Sequence, residues 1–369
     1  MASSFSEPQV PGNYNPSTQK LAQVFKNVSA SYKYFWFLGI LEAIQYRPYQ
    51  RKMIPMKELF AEMVGHAWYT IHYFKLSFGP WDSLEKAIDE IHYKDPKRYP
   101  IDLAKKQLCD QLIDDDRNFV IKALSQFQRQ VPFRFLTPWL GSQYTNKEIF
   151  SLSQGFSNDC PYRLIHNPDG KFIEINPSWK RFLLDYNQIL KDFCYWHLAQ
   201  FVQKRNPSVP AIIYKLKRPE KRNSLISQRK FWHAILAQEA QWQCIFSERP
   251  LSSHQFDLDH FIPWSFVAHD HLWNLIPIDR SVNSSKSDKL PALDYYLSKF
   301  VSAQQKALHF LQNYPASSKL LPDFDQVSDI NMLLTMNQQE AERAYHRVLN
   351  PLIEIAGNMG YQKNWIYHV

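Results

Sequence analysis

From Leu21 to about Trp139 apolar residues return every three or four positions, as in Leu59, Met63, Ala67 and Thr70–Ile71. That period belongs to one face of a helix. Pro48, Pro80, Pro96 and Pro132 interrupt it where a helix would break. Within this stretch Tyr32, Tyr34, Phe35, Trp36 and Phe37 lie in a segment that is apolar nearly all round, which predicts core rather than a base-stacking surface. The pattern then changes. Tyr162-Arg163-Leu164-Ile165 and Phe172-Ile173-Glu174-Ile175 are short runs that flank Asn167-Pro168-Asp169-Gly170, whose turn chemistry predicts a β-hairpin. Ser178 to Val202 reads as one long helix with Phe182, Tyr186, Ile189, Phe193 and Trp196 on one side, ended by Asn206-Pro207. His197 falls in that stripe and is expected to be a packed core histidine. Helical periodicity returns from about Asp294 to Val369, through Tyr296, Phe300, Ala307, Phe310 and Leu311, then Ala341, Tyr345, Val348 and Leu352.

These patterns divide the chain into a polar leader at 1–20, a helical N-terminal domain at 21–150, a hairpin and long-helix connector at 151–210, a chemically distinctive segment at 211–293, and a C-terminal helical region at 294–369. The fold class is α+β and mainly α-helical. Only 9 of 369 residues are glycine, so a glycine-rich phosphate loop and a glycine-rich barrel are both excluded. Cys109, Cys160, Cys194 and Cys244 are scattered, which removes a disulfide framework and fits a reducing cytosol. The most apolar stretch, Tyr34 to Leu41, is far shorter than the roughly 20 residues of a membrane span. A soluble, cytoplasmic protein without membrane attachment is expected.

Lys and Arg exceed Asp and Glu by 43 to 35. Much of the excess is concentrated in Lys215, Lys217, Arg218, Lys221, Arg222, Arg229 and Lys230, against Glu220 alone. A charge run of this kind is either a solvated linker or a surface for a phosphate backbone, where each neutralised phosphate releases counterions. Its place immediately before the chemically distinctive segment favours the second reading.

That segment runs from Cys244 to Pro291. Gln255 to Phe261 is an extended run ending on Asp259-His260, and Ile262-Pro263 stops or redirects it. A loop follows. Asn274 to Ile278 predicts a second short strand, and Asp279 or Ser281 is placed to cap a helix carrying Asn283 and Lys286. Three apart, Asn283 and Lys286 share a helix face, and a helix packed across the strand end would bring the Asn283 amide oxygen to the Asp259 carboxylate. One carboxylate and one amide oxygen form a hard-oxygen set suited to Mg²⁺, with Mn²⁺ as a substitute, rather than to zinc. An unliganded His260 can take a proton from a water attacking phosphorus. Because neighbours along a strand point to opposite faces, Asp259 and His260 can serve one site only if the strand bends or ends there.

Asp257 to Phe266, Asn274, and Asn283 to Asp288 together resemble the HNH endonuclease family, whose ββα-metal fold has this order of elements. The likeness is closest to the HNH domain of RNA-guided CRISPR effector nucleases. It covers about 50 of the 369 residues. The resemblance implies Asp259 and Asn283 as ligands of one divalent ion, His260 as general base, Asn274 as the residue pinning the inter-strand loop, and Lys286 as a phosphate contact. Asp257 is expected as a hydrogen-bond partner behind the ligands. His254, His269, His271 and Asp270 are expected to lie outside the metal set. Ser247 stands where a second zinc-binding cysteine would follow Cys244, so no structural zinc is expected. RNA guidance does not carry over, because the chain is too short for the other effector parts. A helical front with a rear HNH unit is similar in layout to stand-alone bacterial restriction and phage-defence proteins. The expected activity is therefore Mg²⁺-dependent DNA hydrolysis, one strand per site, with a homodimer or companion protein as possible partners. The alternatives are a nucleic-acid-binding scaffold with an inactive unit and an RNA-cleaving toxin-like nuclease.

Overall fold

The computed structural model describes residues 17–26, 28–46, 52–218, 224–239 and 241–368, with only the backbone of 315–317. The chain is mainly helical and forms two compact units, Met1–Pro207 with Ile212–Arg218, and Ser208–Ala211 with Pro219–Val369. The expected polar leader falls mostly outside the described residues.

In unit 1 the helix Tyr32–Tyr46 is buried along nearly its whole length, because Tyr34 to Leu41 has no polar face to turn to solvent. Its Trp36 indole donates to the Tyr162 hydroxyl at 3.0 Å. The helix Met56–His72 packs against it and against Lys105–Asp114. At the second contact a Cβ on Gly65 would meet Cys109 Sγ at 2.5 Å, so only glycine permits this approach. The hairpin forms as its turn chemistry requires. Strand β1, Met53–Pro55, pairs with strand β3, Gly170–Ile175, and β3 pairs with strand β2, Tyr162–Asn167, all antiparallel. Gly170 takes φ +135° opposite Asn167, a backbone state that side chains disfavour. Strand β1 has only three residues, too few to show a period.

The hairpin and the following helices, expected as a connector, belong to unit 1. The single helix expected over 178–202 is two, Pro177–Asp185 and Asn187–Arg205. The chain leaves helical geometry at Tyr186, φ −106° and ψ 17°. Beside the break the Asn187 side-chain amide donates to the Leu41 carbonyl at 2.9 Å and to that of Leu183 at 3.4 Å. The buried face is correspondingly rotated from the expected stripe. Leu190, Phe193, Cys194, His197, Leu198 and Phe201 face inward, whereas Ile189 and Trp196 are exposed.

Unit 2 is built around strands β4, Asp257–His260, and β5, Leu275–Ile278, an antiparallel pair with Asp259 opposite Ile276. Pro277 has no N–H for a ladder, which a two-stranded ribbon tolerates at its outer edge. The helix Arg280–Lys286 follows, with the Asp279 carboxylate as its N-cap accepting from Ser281 N at 2.8 Å. The expected strand, loop, strand, helix order is therefore present. Its support comes from the C-terminal helices of the same unit. Leu293–Gln312 packs on β5, stacks Phe300 on Phe261 at 4.2 Å, and sends the buried Gln304 amide to the Leu275 carbonyl at 2.8 Å. The C-terminal segment closes the far side, with Trp365 N donating to Leu290 O at 2.9 Å. Among the described residues no helix is long and apolar enough to cross a membrane.

Candidate active site

Burial alternates along β4, so Asp257 and Asp259 occupy the partly open face, while Leu258 and His260 turn inward. The strand ends at His260. The helix Arg280–Lys286 packs across the open face and places one partner at each carboxylate. Asn283 Nδ2 donates to Asp257 Oδ2 at 3.1 Å, and Lys286 Nζ stands 2.9 Å from Asp259 Oδ2. The spacing of three residues on the helix matches the spacing of two on the strand. The two contacts run side by side between the helix and the strand.

The amide orientation follows from chemistry, since a carboxylate only accepts and must face the NH₂ group. Asn283 Oδ1 consequently points away from Asp257. On Asp259 the ammonium compensates the charge of Oδ2 without an aligned hydrogen bond, and Oδ1 is not engaged by Lys286. Asp259 Oδ1 and Asn283 Oδ1 are the oxygens of these two side chains that could serve a cation. Among the described residues no three His, Cys, Asp or Glu side chains gather as a metal cage. The donor set fits an ion that keeps most of its water, as Mg²⁺ does, better than one that needs a full protein cage.

Lys286 is fully buried and also donates to the His260 carbonyl at 2.7 Å. The expectation that it faces solvent as a phosphate contact is corrected, because its ammonium is spent inside the unit, between Asp259 and the strand end. Asn274 is equally buried. Its Oδ1 accepts from Ile262 N at 2.8 Å, its Nδ2 donates to Ile262 O at 2.9 Å, and its own carbonyl accepts from Phe261 N at 2.7 Å. One side chain thereby closes the bend where β4 turns into the loop.

His260 has a carboxylate partner. Its Nε2 lies 2.9 Å from Asp270 Oδ1, with the imidazole 9% and the carboxylate 16% exposed. The sequence places Asp270 only outside the metal set, and the loop between the strands has no periodicity that would aim its side chain. Its only signal was being an acid amid His269 and His271. Those two rings stack on each other at 4.2 Å. The loop is held from outside. Gln228 of the helix Ile226–Gln238 donates to the Asp270 carbonyl at 3.1 Å, Leu272 N donates to Asp323 at 2.8 Å, and Trp273 Nε1 donates to Gln326 at 3.0 Å. Burial raises the Asp323 carboxyl above its ordinary range.

The expected basic surface does not form one element. Lys215 is fully buried in unit 1, with its pKa lowered to about 7 by desolvation, so it cannot serve as a surface phosphate contact in this conformation. Lys217 and Arg218 are exposed in unit 1, against Tyr195 and Tyr69 respectively. Arg229 and Lys230 are exposed on the helix Ile226–Gln238 of unit 2, and Arg229 donates to the Phe256 carbonyl at 3.1 Å. Lys221 and Arg222 lie outside the described residues. Two cations that sequence reasoning passed over flank the ββα element itself. Arg280 stands 3.7 Å from Asp257 and Arg249 3.9 Å from Asp279, with side chains 73% and 48% exposed.

Residues 244–292 match the family model of HNH endonucleases. The matched span holds both strands, the helix Arg280–Lys286, and Asp257, Asp259, His260, Asp270, Asn274, Asn283 and Lys286. No curated protein and no solved structure matches the chain.

Proposed function

We propose that this chain, which carries an HNH endonuclease unit over residues 244–292, hydrolyses DNA phosphodiester bonds with Mg²⁺, one strand per active site. The observation that carries the reading is the pairing of one strand face with one helix face. Asp257 and Asp259 meet Asn283 and Lys286, with the His260 imidazole held at the end of the same strand.

Asp259 and Asn283 would hold the ion through their remaining oxygens, and Asp257 fixes the Asn283 amide so that its carbonyl oxygen faces outward. When bound, the ion polarises the phosphodiester and offsets charge developing on the departing oxygen. Lys286 orients the Asp259 carboxylate and ties it to the end of β4 through the His260 carbonyl. Asn274 holds the bend rigid, so that His260 stays in place while it accepts a proton from the attacking water. Arg280 and Arg249, being exposed beside the site, are assigned the phosphate contacts that Lys286 cannot make. Lys217, Arg218, Arg229 and Lys230 supply further backbone contacts. The pairing of a helical unit with an HNH unit has the layout of stand-alone bacterial defence proteins, and on that likeness we assign the activity to restriction of foreign DNA.

The test compares supercoiled plasmid with single-stranded RNA, each in Mg²⁺ and in EDTA. Nicked circles that appear only with Mg²⁺, with the RNA intact, are expected. Preferential cutting of RNA would replace the DNA reading, and salt-sensitive plasmid binding without cleavage in any metal would make the unit a binding module.

A further inference from the structure

On the nuclease reading above, we infer that Asp270 is a positioning residue that holds the His260 ring with Nε2 protonated, leaving Nδ1 as the nitrogen that takes the water proton. The alternation of β4 turns His260 away from the face shared by Asp257 and Asp259, so the metal-side residues do not aim its ring. A separate anchor is needed. Asp270 provides it across ten residues of sequence, at 2.9 Å from Nε2 and largely shielded from water. A carboxylate accepts and does not donate, so the ring nitrogen facing it must carry the hydrogen. Neutral imidazole has one N–H, and placing it on Nε2 leaves Nδ1 with its lone pair.

The carboxylate is itself held rather than free to follow the ring. Gln228 ties the Asp270 carbonyl, and two residues later Asp323 ties Leu272 N. Before Asp270, the chain turns through Ala268 in the left-handed region at φ 55° and ψ 34°. Two segments distant in sequence and one local turn thus fix where Asp270 stands. A bond of no consequence for the reaction would not call for that support.

The test uses the full chain labelled with ¹⁵N-histidine, with His260 assigned through His260→Gln. Two-bond ¹H–¹⁵N correlations at pH 8 read which ring nitrogen is protonated, without any turnover. The parent is expected to show the Nε2–H form. In Asp270→Asn the amide can donate to Nε2, and the ring is expected to shift toward Nδ1–H. Plasmid nicking by that variant is expected to lose about 100-fold or more in rate at saturating DNA, the kind of effect seen when a carboxylate behind a general-base histidine becomes an amide. The DNA concentration for half-saturation should stay within about twofold, because the inference concerns the ring and not substrate binding. Gln228→Ala, which releases the Asp270 carbonyl and leaves the carboxylate intact, is expected to give an intermediate loss and a mixed ring population. A parent ring protonated on Nδ1 overturns the inference, as does an Asp270→Asn variant with parental rate and parental tautomer. A parent that never nicks removes the nuclease reading alone, and the ring measurement then decides the placement of Asp270 by itself.

Discussion

Asn274 and Lys286 show how much the site depends on single buried polar groups. Asn274 satisfies both backbone groups of Ile262, and no apolar side chain can do so. Asn274→Ala is expected to cost about 2–5 kcal/mol in urea unfolding, since a buried N–H and C=O lose their partners together. Lys286 is the only fully buried cation of unit 2 among the described residues, and its charge is matched by Asp259 at 2.9 Å. Lys286→Met is expected to destabilise by about 3 kcal/mol, because breaking a buried pair leaves the carboxylate uncompensated. Mg²⁺ should recover part of that loss, read as a larger Mg²⁺-induced rise in Tm than the parent shows. Equal rises in both proteins would argue that the ion does not bind at Asp259.

At the scale of elements, the short helix Trp264–Val267 ends on Ala268 in the left-handed region, the position where glycine is favoured. Ala268→Gly is expected to stabilise by about 0.5–1 kcal/mol, the relief of the Cβ strain less the added freedom of the unfolded chain. A lower Tm would mean that the Ala268 methyl packs against something the turn needs. The elements most legible in the sequence are those with local causes. The hairpin followed from Asn167-Pro168-Asp169-Gly170 between two β runs, and the strand, loop, strand, helix order followed from Pro263 and the capping residue Asp279. What was not legible has nonlocal causes. The break at Tyr186 coincides with an amide reaching the Leu41 carbonyl from 146 residues away. The burial of Lys215 and Lys286 contradicts the usual preference of lysine for the surface, and only tertiary packing reverses it. Which of the two carboxylates on the shared strand face accepts from the Asn283 amide was not legible either, since sequence alone does not set how far the helix slides along it. Asp270 sits in an aperiodic loop whose shape is set by Gln228, Asp323 and Gln326.

For the molecule as a whole, the two units carry different liabilities. Unit 1 buries histidines, among them His72, held down to about 4 by desolvation and the neighbouring His92, and His66, held well below its ordinary value by burial and nearby lysines. In the unfolded chain the same groups titrate near 6.5. At these two groups the unfolded state therefore takes up protons first as pH falls from about 6.5 to 4, and the stability they contribute to unit 1 is lost across that window. His72 alone sets a slope of at most about 1.4 kcal/mol per pH unit. Urea midpoints at pH 7 and pH 5 should separate less in His72→Phe than in the parent. Unit 2 contains the ββα element and the C-terminal helices that buttress it, so the span matched by the family is held by residues well beyond its end. The central claim concerns His260 in that unit, and it is tested most directly by the single-turnover rate of Mg²⁺-dependent plasmid nicking in the parent and in His260→Ala. The account predicts a loss of about 100-fold or more with DNA binding retained. A variant that nicks as fast as the parent would contradict it.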